Sequence, residues 1–163
     1  MIFDKSPLLN LVSKEDTLFI KANEFHNQEI LNKETLYAFN NVEILNNEIK
    51  GKCDSLTFSI SDSLIHMYKK PLLWIDEHQI SADSININYY DKTIKKLFLI
   101  SNPIIISEQD SSLYNQIKGK YMEGDFIENK LKNIDVLGNG QSIYFIKENK
   151  EIIGMNYIES SNI

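Results

Sequence analysis

The sequence predicts an all-β fold, and three observations support that prediction. Apolar residues recur with a period of two, as in Leu56, Phe58 and Ile60, whereas a helix would need a period near 3.6. Turn-forming residues interrupt the alternating runs at short intervals. A motif of one small, two mostly polar and one apolar residue recurs roughly every 29 to 37 residues, which indicates stacked units of one repeat.

Each repeat unit contains two recognisable parts. The first part opens with the small residue, at residues 22–25 (ANEF), 53–56 (CDSL), 82–85 (ADSI), 119–122 (GKYM) and 154–157 (GMNY). The second part has an apolar pair at positions i and i+2, then a turn, then another extended run. These turns fall at 40–41 (NN), 69–71 (KKP), 101–103 (SNP) and 138–140 (GNG). A period of two on both sides of a turn predicts a pair of strands.

The first part of the chain divides into a lead-in and the start of the repeat. Residues 1–15 lack sustained periodicity and are interpreted as an extended lead-in. This lead-in could be the end of an upstream repeat unit. Residues 16–163 form the predicted domain. Alternation predicts strands near 18–20, 35–39 and 42–45, and the polar run 27–32 predicts a turn.

The later units follow the same order. Strands are expected at 56–60, 65–68, 72–75, 85–90, 97–99, 104–106 and 143–146, and loops at 61–63, 77–79, 107–112 and 147–150. Residues 152–157 begin a fifth unit that the sequence does not complete. We therefore expect an open sheet edge at this end, which favours pairing with another chain, with a second copy or with a missing continuation of the array.

Composition limits the classes of function. The chain has 163 residues, 42% of them hydrophobic, which predicts a folded domain with its own core. The net charge is -6 and all seventeen basic residues are lysines, so nucleic acid is not an expected partner. No apolar run reaches the roughly 18 residues of a membrane-spanning helix. The N-terminus lacks the pattern of a secretory signal, so any export signal would lie outside this sequence.

No catalytic or metal-binding constellation is evident. His26, His66 and His78 have no ligand spacing, and the lone Cys53 is best interpreted as a small buried residue. Asp54 and Asp83 recur at the same repeat position. They could form an acid/base pair or a calcium site, but hydrogen bonds to corner backbone are the commoner role. We predict no enzyme activity, no metal and no cofactor.

The residues expected to face the interior are apolar and come from every unit. They are Leu56, Phe58, Ile65, Met67, Leu73, Ile85, Ile87, Leu97, Leu99, Ile105, Ile134 and Val136. Two interpretations remain open for them. They form either a closed β-core or a partly open channel that takes lipid acyl chains, where each buried CH₂ contributes roughly 0.8 kcal/mol.

Several phrases resemble the OstA-like proteins of Bacteroidetes, which are similar to the LptA family of lipopolysaccharide transport proteins. The matching phrases are 51–56 (GKCDSL), 71–74 (PLLW), 79–85 (QISADSI), 115–122 (NQIKGKYM) and 154–156 (GMN). The resemblance extends from Asp16 to the C-terminus.

The resemblance implies an LptA-like β-jellyroll, an open-ended stack of V-shaped antiparallel strand pairs. It implies a non-enzymatic periplasmic module, associated with outer-membrane biogenesis, that shields lipopolysaccharide acyl chains and contacts similar domains end to end. A structural scaffold with a dry core remains the alternative. A further alternative is a carbohydrate-active enzyme that uses Asp54 and Asp83.

Overall fold

The computed structural model describes residues 7–12, 17–30, 33–90, 93–110, 112–128, 130–149 and 151–163. These residues form one antiparallel sheet of fifteen strands. The predicted all-β class is therefore confirmed. The described residues contain no helix with the length and hydrophobicity that a membrane crossing requires.

The strands vary in length from four to nineteen residues. They are β1 (Leu8–Val12), β2 (Thr17–Lys21), β3 (Glu24–Ile30), β4 (Lys33–Leu45), β5 (Ile49–Ser59), β6 (Leu64–Tyr68), β7 (Leu72–Ile75), β8 (His78–Ser81), β9 (Ser84–Tyr90), β10 (Thr93–Ile100), β11 (Ile104–Asp110), β12 (Leu113–Lys118), β13 (Tyr121–Ile127), β14 (Lys130–Glu148) and β15 (Glu151–Asn162). The strand β1 falls within the predicted lead-in and pairs with β2.

The pairing divides the sheet into two parts, which we call half-sheet 1 and half-sheet 2. Half-sheet 1 has the order β3, 33–39 of β4, 55–59 of β5, β6, β9, β10, β13 and 130–137 of β14. Half-sheet 2 has the order β1, β2, 42–45 of β4, 49–53 of β5, β7, β8, β11, β12, 141–148 of β14 and β15. Successive hairpins alternate between the two half-sheets.

The chain passes from half-sheet 1 to half-sheet 2 at corners that share one backbone conformation. Each has two consecutive residues with positive φ, and these pairs are Asn40 and Asn41, Lys69 and Lys70, Ser101 and Asn102, and Gly138 and Asn139. Asparagine and glycine suit this left-handed region, because their side chains are short and polar or absent. The turns predicted at these four positions are the corners of the sheet. In β4 and β14 the strand continues through the corner.

The chain returns to half-sheet 1 at a second set of corners, where the repeated small residue lies. Ala22 and Ala82 are buried there. At Gly119 an added Cβ would approach Val136 Cγ1 to 2.5 Å, so a larger residue would force its neighbour to move. The fifth predicted opening differs, because Gly154 lies inside β15 with no neighbouring atom near its missing Cβ.

The two sets of corners are hydrogen-bonded to each other. The Asp83 amide donates to the Ser101 carbonyl at 2.9 Å, and the Asn102 side chain donates to the Asp83 carboxylate, also at 2.9 Å. At another corner the Lys120 amide donates to the Gly138 carbonyl at 2.9 Å. These hydrogen bonds provide partners for backbone groups at the corners, where the chain bends and the regular pairing between strands is interrupted.

Several polar segments predicted as turns or loops contain strand residues instead. The run 27–32 was expected to turn, but β3 continues to Ile30, with residues 31–32 outside the described part. Within the described residues, β3 pairs only with β4, and its polar side chains are exposed to solvent. Because these side chains remain hydrated, their polarity does not oppose strand formation. The predicted loop 107–112 is also wrong over much of its length, since β11 extends to Asp110. In the predicted loop 77–79, His78 and Gln79 belong to β8.

The core lies between the inner faces of the two half-sheets. An added Cβ at Gly51, in half-sheet 2, would lie 3.1 Å from Met67 Cε, in half-sheet 1, so the inner faces are in contact. The largest fully buried side chains come from β2 to β10. Towards the other end, Ile117 of β12 and Leu131 and Ile134 of β14 are only half-buried, although Val136 is fully buried. The core is closed at one end and looser at the other.

Candidate functional site

The twelve predicted interior residues all lie in or against this core. Eleven are buried, with exposed fractions of 8% or less, and Ile134 packs against them half-buried. Among them, Ile105 and Ile134 also line an open groove between the half-sheets. The alternation of apolar residues therefore identified the inward face of the strands correctly. Most of these twelve residues, however, pack in the closed core and do not face an open groove.

The groove, which we call the inner groove, lies where the core loosens. Its apolar lining includes Ile105, Ile117, Leu131 and Ile134, from β11, β12 and β14. The cavity has a volume of about 310 Å³, near the lower limit of the roughly 300–1,000 Å³ of small-molecule pockets. Tyr144 lies at this groove and is exposed, so the groove is open to solvent.

Several polar groups of the inner groove already have partners within the protein. The buried Ser107 hydroxyl is hydrogen-bonded to His78 Nδ1 at 2.5 Å. The Asn115 side-chain oxygen accepts a hydrogen bond from the Phe145 amide at 2.9 Å. The rest of the lining combines the aliphatic side chains with further polar residues, namely Glu77, Gln109, Gln116 and Ser142.

Sequence reasoning missed most residues of the inner groove. The sequence predicted a loop at Ser107, and it gave no prediction of whether the side chains of Asn115 and Leu131 face the interior or solvent. The alternation of Leu113, Asn115 and Ile117 in β12 was a usable signal, but the polar residue in the middle concealed it. Hydrophobic periodicity identifies the apolar positions of a strand and gives little information where a polar residue points inward.

The recurring aspartates are tied to the corners and are not brought together as a reactive pair by any contact among the described residues. Asp54 forms an ion pair with Lys69 at 2.7 Å, and Asp83 accepts the hydrogen bond from Asn102. Each bond joins one corner to the next. The described residues also contain no group of three or more side chains arranged to hold a metal ion.

The three histidines lie in strands and have separate partners. His26 contacts Glu24 at 2.5 Å, and His66 Nδ1 donates to Asn86 Oδ1 at 2.8 Å. His78 is bonded to Ser107, as described above. Cys53 is half-buried at a corner, and burial raises the pKa of its thiol to about 12. The thiol is therefore protonated near neutral pH, which makes it a poor nucleophile.

The sheet has edges at both ends. Within the described residues, β1 and β3 each pair with a single strand, and β15 pairs with β14 alone. The β15 strand also exposes large apolar side chains, with Ile153 at 60% and Met155 and Tyr157 at 55%. An edge strand with exposed apolar residues is a site where another strand can add.

No model of a protein family matches this chain, and no curated protein matches it.

Proposed function

We propose that this chain is a non-enzymatic lipid-conduit module with an LptA-like β-jellyroll architecture. In this proposal the two half-sheets are the arms of stacked V-shaped strand pairs, and the corners are their apex. Acyl chains occupy the space between the arms. The resemblance to OstA-like proteins suggests lipopolysaccharide as the lipid and the periplasm as the compartment.

The observation that supports this proposal most directly is the inner groove. Aliphatic side chains from both half-sheets meet there without closing the space, and polar groups such as Ser107 and Asn115 are engaged by the protein. Such a surface provides many weak apolar contacts, although polar residues such as Glu77 and Gln116 also line the groove. A bound chain can then move along the groove in small steps, since each CH₂ contributes only about 0.8 kcal/mol.

The sheet edges are consistent with the end-to-end contacts expected for a conduit. A neighbouring domain could pair with β15 at one end, and with β1 or β3 at the other. Backbone hydrogen bonds across such a junction would make the two sheets continuous. The apolar interior of one module would then continue into the next.

A fluorescent acyl probe tests the proposal. We expect cis-parinaric acid to show a saturable rise in fluorescence on titration with the protein, because its chain enters an apolar groove. Lipid A should displace it, whereas a soluble sugar should not. Absence of a saturable signal with the folded protein would contradict the proposal.

A structural scaffold with a dry core is the second candidate. The closed packing from β2 to β10 favours it, since the side chains there leave no space for a chain without separation of the half-sheets. Such a module would bind partners through its edge strands and would not bind the acyl probe. The same titration therefore separates the two functions.

A further inference from the structure

A second groove lies on the opposite face of half-sheet 2, and we call it the outer groove. It has a volume of about 540 Å³, within the usual range for a small-molecule site. Its position follows from the strand register. Trp74 pairs with Gln79, Gln79 with Ile106, and the next strand contributes Gln116, all on the side away from the core.

Two aromatic side chains stand at the sides of the outer groove. Trp74 lies on β7 and Tyr114 on β12, about 14 Å apart across the sheet and, because Tyr114 pairs with Glu108 and not with Ile106, about 7 Å apart along the strands. Gln79 and Ile106 lie on the strands between them and form the floor. Tyr114 is 41% exposed and Trp74 is half-buried, so both rings are accessible from the groove.

The lining of the outer groove includes three acidic residues and one histidine, His78. Asp76 and Glu77, in the turn between β7 and β8, and Glu108, on β11, all line it. No lysine is among the described residues of the lining, and within the described part of the chain none of these three carboxylates forms an ion pair. An acidic groove with aromatic walls attracts cations and repels phosphates and other anions.

The Trp74 ring already interacts with a cation in this structure. The Lys50 ammonium, on the neighbouring strand β5, lies 5.8 Å from the ring centroid. This distance is within the roughly 6 Å over which a ring attracts a positive charge. Lys50 approaches from the β5 side, while the outer groove lies on the β8 side.

From this geometry we propose that the outer groove binds a small organic ammonium ion. Trp74 and Tyr114 supply the aromatic faces, and Glu108, Asp76 and Glu77 supply the compensating charge. The outer groove opens on the other face of half-sheet 2, and the proposal does not depend on lipid transport. Three of the described residues line both grooves, namely Glu77, His78 and Gln116.

The test uses Trp74 as a reporter, since it is the sole tryptophan of the chain. The intact protein is titrated at constant ionic strength with choline chloride and, separately, with 3,3-dimethyl-1-butanol, which has the same shape without the charge. We expect choline to change the tryptophan fluorescence saturably and the neutral alcohol to have little effect. An equal response to both, or none to choline, would overturn the proposal.

Two variants test whether choline binding depends on the side chains of Glu108 and Tyr114. We expect Glu108→Gln to raise the dissociation constant for choline about two- to fivefold, because one surface charge is lost. Tyr114→Leu should raise it about three- to tenfold, because one aromatic wall is lost. Glu29→Gln, on the exposed face of β3, is the matched control and should leave binding unchanged. Equal affinities in all four proteins would refute the assigned site.

Discussion

Leu99→Asp is expected to destabilise the fold by more than about 4 kcal/mol, because it places a carboxylate in the closed core without a partner. Leu99 is fully buried and lies between Ile85 on β9 and Met122 on β13. Both neighbours are also fully buried, so nothing nearby can solvate the charge. Urea denaturation followed by circular dichroism would measure the change.

Thr57→Asp provides the control for Leu99→Asp. Thr57 is half-buried on the outer face of β5, where its cross-strand neighbours are Tyr37 and His66. We expect this substitution to lower the free energy of unfolding by about 1 kcal/mol, because aspartate is disfavoured in strands, which is far less than the effect of Leu99→Asp. If both variants were tolerated equally, the assignment of inner and outer faces would be wrong.

Ile117→Asp is expected to abolish binding of the acyl probe while the protein stays folded. Ile117 lines the inner groove and is half-buried, so the new carboxylate can reach solvent at the groove. The charge would nevertheless oppose entry of an apolar chain, since an acyl chain cannot compensate for the lost hydration. The cis-parinaric acid titration, repeated on the variant, measures the loss.

Two further variants separate groove occupancy from general damage. Ile117→Trp keeps the position apolar but fills part of the cavity, so it should also weaken probe binding. Lys118→Asp changes the adjacent outward residue of the same strand and should bind the probe normally. Normal binding by both Ile117 variants would exclude the inner groove as the acyl site.

The fold class could be predicted from the sequence because its signal is local. Alternation such as Leu56, Thr57, Phe58 reports which side of a strand is buried, and it does so without knowledge of the partner strand. The corners were also predictable, since positive φ at Asn40 and Asn41 restricts the residue type. These features depend on only a few neighbouring residues.

The strand at β3 and the lining of the inner groove could not be predicted in the same way. The polar run 27–29 forms part of a strand because it lies at an edge with its side chains exposed, a property of its position in the sheet. Similarly, Ile117 and Leu56 look alike in the sequence, yet one lines a groove and the other is sealed in the core. How tightly the two half-sheets meet depends on residues far apart in the chain.

Site-specific photocrosslinking tests the central claim most directly. A photoreactive amino acid is placed at Ile117, which faces the inner groove, or at Lys118, which faces solvent on the same strand. Each folded protein is then irradiated with lipopolysaccharide. The lipid-conduit account predicts a lipid adduct from position 117 and none from position 118. Adducts from both positions in equal yield, or from neither, would contradict it.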